Sequence, residues 1–199
     1  CSHWYQEDYQ SECTKEQLFS VLNKYLDFCE KYNYKGHINF TGGEPFLSSS
    51  LFELIKECDN KNITYGILSN GTLLNDELIS KLKQCKKLSF IQISIDGMRD
   101  THDNIRGKGN FDKAFEGLKL LQKAGIQTMV AYTCHKGNFK ELKSVIKYVR
   151  QMKIDRFWVD RLIPMGSNKE DILSTEEYAE IIKSNPSSKE LDLNGYSIT

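Results

Sequence analysis

Strand-like and helix-like segments alternate along this chain, and the alternation limits the possible folds more than any other feature. Five short strand-like runs are separated by apolar stripes at helical spacing. The strand-like runs are 37–41, 63–68, 88–95, 128–133 and 157–163. Predicted helix caps are Thr14 with Gln17, Asn75, Asn138 with Glu141, and Ser174 with Glu177. Strands that alternate with helices across short loops predict a parallel sheet with right-handed crossovers.

The two faces of the strands differ in polarity, which separates the possible parallel folds. In the third run the isoleucines fall on one face, whereas Gln92, Ser94 and Asp96 fall on the other. A doubly wound sheet is covered by helices on both faces, so both should be apolar. One polar face therefore favours an open or partial barrel whose lumen holds a ligand.

The first strand-like run leads into the sequence HINFTGGEPFL, residues 37–47. Gly42 and Gly43 allow positive φ and leave their amide N–H groups uncovered by side chains. Glu44 adds an acceptor beside those donors, and Pro45 stiffens the chain that follows. Donors next to a carboxylate suit a ligand that carries both an ammonium and a carboxylate, as an amino acid does. The alternative interpretation is an ordinary Gly-Gly turn.

Other strands also end in polar turns. These are the sequences SNG at 69–71, SIDG at 94–97 and RLIP at 161–164. Because the carboxyl ends of parallel strands lie at one end of a barrel, the four tips are expected to converge on one mouth.

Composition excludes some classes of partner and site. Lys plus Arg and Asp plus Glu number 27 each, so no net positive charge attracts nucleic acid or an anionic membrane surface. No apolar run approaches the roughly 20 residues that span a bilayer, and no signal sequence opens the chain. We expect a cytoplasmic protein. The six cysteines are scattered, which is not a disulfide framework, and Cys29, Cys58 and Cys85 are expected to act as small apolar residues.

The ends of the chain suggest that neighbouring segments are missing. A helix precedes the first strand, so we expect that an opening strand has been lost upstream. Residues 1–184 are predicted to form the core barrel, incomplete at its N-terminus. Residues 185–199 are Ser- and Pro-containing and are predicted to be a loose tail or a linker toward a missing C-terminal domain.

Taken in order, TGGEPFL, SNGTLL, SIDG followed by HDNIRG at 102–107, and RLIPMG at 161–166 resemble the radical S-adenosylmethionine (radical SAM) enzymes. The likeness is strongest to the branch that modifies peptides and often carries a C-terminal cluster domain called SPASM. It covers nearly the whole chain. The resemblance implies an α/β fold, a partial (β/α)6 TIM-like barrel lacking its first strand.

The resemblance also implies an activity. In intact members, one electron from a [4Fe–4S] cluster cleaves S-adenosylmethionine to a deoxyadenosyl radical, which abstracts a hydrogen from the substrate. The implied partners are a peptide or protein substrate and an electron donor such as ferredoxin or flavodoxin.

Contacts to S-adenosylmethionine follow residue by residue from the same resemblance. They are Gly42, Gly43 and Glu44 for the amino group, Asn70 for the adenosyl part, Ser94 and Asp96 for the ribose, and Arg106 for the carboxylate, with Pro45 and Ser69 as further cofactor-binding residues. Alternatives stay open. Arg106 would otherwise form an ion pair with Asp100 or Asp103, and Asp96-Gly97 would be a simple turn. His102 and His135 are expected to be structural.

The family's cluster loop, C-x-x-x-C-x-aromatic-C, is matched only in part. Cys1 aligns with the second cysteine, His3 with the aromatic residue and Trp4 with the third cysteine. An indole cannot ligate iron, and Cys13 is a poor substitute because it directly precedes a capped helix. We therefore expect this chain to carry no cluster and to be inactive as it stands.

Two other functions remain open on the sequence. One is a barrel enzyme that binds a phosphorylated small molecule on its glycine-rich strand ends, although Glu44 would repel phosphate. The other is a degenerate, cluster-free module that binds peptides without catalysis.

Overall fold

The computed structural model describes residues 13–163, 171–184 and 196–198 of the 199-residue chain. Its centre is one parallel sheet in which each strand pairs with the next strand of the sequence. The strands are β1 (His37–Phe40), β2 (Thr64–Ser69), β3 (Leu88–Ser94), β4 (Thr128–Cys134), β5 (Arg156–Arg161) and β6 (Tyr196–Ile198). This order is the one expected of a (β/α) barrel, in which every crossover moves one strand along.

Seven α-helices and two short 3₁₀ turns connect and flank the described strands. The helices are α1 (Lys15–Tyr32), α2 (Leu51–Asn60), α3 (Asp76–Leu82), α4 (Arg99–Arg106), α5 (Asn110–Lys123), α6 (Leu142–Gln151) and α7 (Thr175–Ser184). The 3₁₀ turns are Pro45–Leu47 and Phe139–Glu141. Three predicted caps are confirmed: the boxes that begin α1 and α7, and Asn75, which accepts from the Leu78 N–H.

The predicted difference between the two faces of the sheet is confirmed in β3. Ile91, Ile93 and Ile95 are fully buried against the helices, whereas Gln92 and Ser94 on the opposite face are half-buried. The alternation continues in β5, where Phe157 and Val159 are buried. Apolar packing therefore covers one face, and the other face lines a lumen, as the partial-barrel prediction requires.

Side chains of β1 and β3 approach one another at the amino-terminal end of the sheet's lumen face. Gly66 of β2 faces Phe90 of β3, and a Cβ added at Gly66 would lie 2.5 Å from the Phe90 ring and 2.7 Å from the Asn39 side-chain oxygen. The His37 ring stacks on Phe90 at 5.9 Å and hydrogen-bonds to Asn39. We call these four residues the lumen floor. Because these side chains occupy this end, ligand space is expected at the opposite end.

Several details differ from the sequence-based predictions. Helix α4 was not predicted, and β6 lies within the segment that was expected to be a loose tail. Asn138 does not cap a helix through its side chain, and Glu141 turns away to bind the loop after β3. Strand β5 ends at Arg161 rather than Ile163, and Pro164 to Gly166 lie outside the described residues. The boundary at residue 184 stays a prediction.

Strand β1 is an edge of the described sheet, as expected. It pairs with β2 alone, and on its free side the Tyr25 hydroxyl bonds both the N–H and the C=O of His37.

Cys29 and Cys58 are buried free thiols and Cys85 is half-buried, which confirms their predicted packing role. Within the described ranges, no helix is long and apolar enough to span a membrane.

Candidate functional site at the mouth of the sheet

Glu44 ties the loop after β1 to the end of β2. One of its carboxylate oxygens accepts hydrogen bonds from the Ser69 hydroxyl (2.8 Å) and the Phe46 N–H (3.3 Å). The other accepts from the Asn70 N–H at 2.8 Å. The carboxylate holds the two strand tips in a fixed relation, since two of its donors belong to the end of β2 and the third to its own loop after β1.

The two glycines beside Glu44 open onto free space. Gly42 has φ of +144°, which requires glycine, whereas Gly43 has an ordinary φ. A Cβ added at Gly43 would meet nothing within 4 Å. The chain's own packing therefore gives no reason for glycine at Gly43. A bare backbone with room above it is what a closely approaching ligand needs.

The turn after β2 is built from its own side chains. Ser69 is buried and accepts from the Gly71 N–H at 2.9 Å. The Asn70 side-chain oxygen accepts from the N–H and the hydroxyl of Thr72, at 2.8 and 2.7 Å. Ser69 therefore supports Glu44 from below, and the Asn70 oxygen is used to form the turn.

Asp96 lies at the tip of β3 but not in the lumen, which corrects the prediction that it faces a ribose there. Its side chain has no exposed surface. One oxygen accepts from the Thr133 N–H at 3.1 Å, and the other accepts from the Nε–H of Arg106. Alternation no longer governs Asp96 because β3 ends two residues earlier, at Ser94. Ser94 remains on the lumen face.

Arg106 pairs with Asp96 rather than with Asp100 or Asp103. It is the last residue of α4, and only 16% of its side chain is exposed. Asp103 instead accepts hydrogen bonds from the backbone N–H groups of Phe111 and Gly109, at the start of α5. These hydrogen bonds hold the pKa of the Asp103 carboxyl below its ordinary value. The half-buried guanidinium thus sits between the ends of β3 and β4.

Both buried histidines support backbone around the mouth. His102 Nδ1 accepts from the Asp96 N–H at 3.1 Å, and His135 Nδ1 accepts from the Gly137 N–H at 3.1 Å. Burial lowers the pKa of His102 to about 4 and lowers that of His135 as well. Both are therefore neutral at pH 7, as their predicted structural role requires.

Asn138 joins the tips of β3 and β4. Its side-chain nitrogen donates to the backbone oxygens of Asp96 (3.0 Å) and Thr133 (2.8 Å), and its oxygen accepts from the His135 N–H. The sequence analysis assigned this residue to a helix cap. The sequence contains no local signal for the cross-strand role, because its partners come from two different strands.

The lumen face of β5 adds two residues that the motif analysis missed. Trp158 is half-buried and its indole N–H donates to exposed Asp160 at 2.6 Å. By register, Trp158 is level with Ala131 of β4, which is level with Ser94 of β3. The alternation along residues 157–161 could have indicated that Trp158 and Asp160 share one face of the strand.

The mouth thus brings together Gly42, Gly43, Glu44, Pro45, Ser69 and Asn70 on one side. It places Ser94 and Arg106 on the other, with Asp96 beneath Arg106. Cys1 and Trp4 lie outside the described residues. Among the residues that the structure describes, no three His, Cys, Asp or Glu side chains are grouped to hold a metal.

A family model and several individual proteins match the chain in sequence. The family model described as the Radical SAM superfamily matches residues 18–149. The Fe-coproporphyrin III synthase of Methanosarcina barkeri is 31% identical over 185 residues, which are 89% of this chain and 45% of that protein. The sporulation killing factor maturation protein SkfB of Bacillus subtilis is 33% identical over 140 residues, which are 70% of this chain and 33% of SkfB.

Solved structures share the fold. Streptococcus suis SuiB bound to S-adenosylmethionine aligns with 100% of this chain and 47% of its own, with a TM-score of 0.79 and 15% identity. SuiB bound to precursor peptide SuiA aligns with 99% of this chain and 44% of its own, with a TM-score of 0.78 and 14% identity. The chain therefore spans less than half the length of these four matches.

Proposed function

The chain belongs to the radical SAM superfamily, and from that premise we propose that its mouth binds S-adenosylmethionine for radical chemistry on a peptide or protein. The family uses this cofactor with a [4Fe–4S] cluster. The open space above Gly43, beside the fixed carboxylate of Glu44, is the observation that carries the proposal. No side chain or backbone atom of the described residues fills that space.

The proposed contacts divide between the two sides of the mouth. Gly42 and Gly43 offer backbone groups to the amino-acid end of the cofactor, with Pro45 buried behind them. Glu44 holds this loop in place, and its remaining acceptor capacity faces the ammonium, since a carboxylate has about four acceptor sites and three are used.

Across the mouth, Arg106 is proposed to receive the cofactor's carboxylate, because a planar guanidinium binds a carboxylate through paired N–H groups. Ser94 is proposed to contact the ribose. Ser69 and Asn70 are proposed to border the adenosyl group through the backbone of their turn, which Thr72 keeps closed.

When bound and reduced by one electron, S-adenosylmethionine supplies the carbon radical that removes a hydrogen atom from a substrate. A ferredoxin or flavodoxin is the proposed source of the electron. The cluster is a separate matter, because Cys1 is the only thiolate of this chain that matches the family loop and Trp4 stands at a ligand position. The residues present do not fit a three-thiolate site, so no step is assigned to it.

A peptide or protein is the proposed substrate because maturation protein SkfB is among the sequence relatives and SuiB among the structural ones. The identity to Fe-coproporphyrin III synthase over 89% of the chain favours a second candidate, a carboxylated tetrapyrrole. Asp160, exposed on the lumen face of β5, would repel such a polyanion, which supports the peptide.

A cytoplasmic location completes the proposal and agrees with the five free thiols of the described residues.

The test begins with equilibrium dialysis of the chain against S-adenosylmethionine. We expect saturable binding that phosphate does not displace, whereas displacement by phosphate would favour the phosphorylated ligand. The second step is anaerobic reconstitution, with iron and sulfide, of a version extended upstream to include the first cysteine of the family loop, with Trp4 kept and with Trp4→Cys, followed by assays for iron and for 5′-deoxyadenosine. Deoxyadenosine is expected in larger amount from Trp4→Cys.

Substrate class is decided in the same assay by adding either a mixed precursor-peptide pool or iron coproporphyrin III. Stimulation of deoxyadenosine release by peptides alone supports the peptide proposal, and stimulation by the tetrapyrrole alone contradicts it. Peptide binding without any binding of S-adenosylmethionine would instead support the degenerate module.

A further inference from the structure

The guanidinium of Arg106 is held along one edge. Its Nε–H donates to Asp96, and its side chain is 16% exposed. A guanidinium is planar and carries five N–H donors in a rigid fork. A partner on the Nε edge therefore fixes the plane of the whole group, including the direction of the terminal nitrogens.

Asp96 is itself fixed from three directions, so it provides a rigid anchor. Its second carboxylate oxygen accepts from the Thr133 N–H, its own N–H donates to His102, and its C=O accepts from Asn138. These bonds come from β4, α4 and the loop before α6. Asp96 is completely buried, so it cannot contact a ligand in the mouth.

Helix α4, which carries Arg106, is fixed at its other end as well. Glu141 accepts from the Met98 N–H at 2.7 Å and from the Thr101 hydroxyl at 2.8 Å. The helix is therefore held at its first turn by Glu141 and farther along by His102. A change at Asp96 would free the Arg106 side chain while these two anchors keep the helix near its place.

We propose that Asp96 is a positioning residue that acts through Arg106: it sets the plane of the guanidinium so that the site selects ligands bearing a carboxylate. This inference rests on the proposed function, since it takes S-adenosylmethionine as the ligand. Asp96 thereby determines how strongly the site prefers S-adenosylmethionine to an otherwise identical cation that lacks the carboxylate.

The test compares S-adenosylmethionine with decarboxylated S-adenosylmethionine in equilibrium dialysis. The unchanged 199-residue chain is expected to prefer the first. Asp96→Asn is expected to lower that preference about tenfold, the size of one misdirected charge-assisted contact, and to leave the affinity for the decarboxylated compound unchanged. If Asp96 had only a structural role, its replacement would weaken the binding of both ligands by the same factor.

Asp59→Asn is the matched control. Asp59 also accepts two backbone N–H groups, from Lys86 and Lys87, and one side-chain donor, the Tyr65 hydroxyl, but it lies at the opposite end of the sheet. This variant is expected to keep the preference of the unchanged chain, whatever it does to stability.

If Asp96→Asn does not fold, the same preference is measured in Arg106→Lys. A lysine keeps the positive charge beside Asp96 but lacks the planar fork, so the preference is again expected to fall. An unchanged preference in Asp96→Asn, or equal loss for both ligands, overturns the positioning role while leaving the proposed function intact. An unchanged preference in Arg106→Lys overturns the positioning role together with the proposed contact between Arg106 and the carboxylate. Failure of the unchanged chain to bind either compound overturns both.

Discussion

Gly66 and Gly43 are both glycines at the lumen, but the structure needs them for opposite reasons. A Cβ at Gly66 would overlap Phe90 and Asn39, whereas a Cβ at Gly43 would touch nothing. Gly66 is explained by the packing of the lumen floor. Gly43 is exposed and no atom of the described residues fills the space beside it, which leaves room for a ligand.

The same contrast holds for the regions around the two glycines. The floor is held by the stacking of the His37 and Phe90 rings and by their close approach to Gly66. The mouth is held by buried polar groups: Glu44, Asp96 and Asn138 each join two segments through hydrogen bonds. Polar networks of this kind depend on the protonation state of their members.

Acid should have the largest effect, because it acts on a buried histidine that supports the mouth. Burial lowers the pKa of His102 to about 4 from an ordinary value near 6.5. An unfolded chain therefore binds this proton first, so the stabilising contribution is present above pH 6.5 and is lost as the pH falls toward 4. The expected loss is about 3 kcal/mol of unfolding free energy, measured by urea denaturation between pH 7 and 4.

The control for this prediction is His102→Gln, which keeps an acceptor for the Asp96 N–H but does not titrate. Its acid loss should be smaller, and the remainder should include the share of His135, whose pKa burial also lowers. Hydrogen exchange should show α4 losing protection before β2 does. An equal acid loss in the variant and the unchanged protein would exclude His102 as its source.

Gly66→Ala should have the next largest effect and should be confined to the floor. The added methyl group has no space between Phe90 and Asn39, and overpacking of this kind costs about 1–3 kcal/mol. Denaturation measures the loss, which Phe90→Leu in the same chain should partly restore because it shortens the opposing side chain. Destabilisation by Gly66→Ala with no rescue would place the strain elsewhere.

The features that sequence could predict are those set by local periodicity. The strands, the buried isoleucines of β3 and the caps at Thr14, Asn75 and Ser174 depend on neighbours within a few residues. Helix α4 was missed because its sequence is mostly polar, and its known anchors, Glu141 and the backbone of Asp96, come from distant segments.

The candidate site follows the same rule. Glycine and acid in GGEP are local signals, and their placement at a strand tip was predicted. The burial of Asp96 was not predictable, because a residue beyond the end of a strand no longer follows its alternation. The local sequence around Asn138 predicted a helix cap, but its side chain instead hydrogen-bonds to the backbone of Asp96 and Thr133. Long-range hydrogen bonds leave no periodic trace in a sequence.

Gly43→Ala should have the smallest effect on stability and a selective effect on binding. Its φ is ordinary and its Cβ meets no atom, so the unfolding free energy should stay within about 0.5 kcal/mol of the unchanged protein. The methyl group would occupy space proposed for S-adenosylmethionine, and we expect about tenfold weaker binding in calorimetry, or roughly 1.4 kcal/mol. Gly66→Ala is the matched control, since it should destabilise the fold but leave the affinity of folded molecules unchanged. Equal affinity in Gly43→Ala and the unchanged protein would mean that the ligand does not approach this backbone, and the open space would then need another occupant.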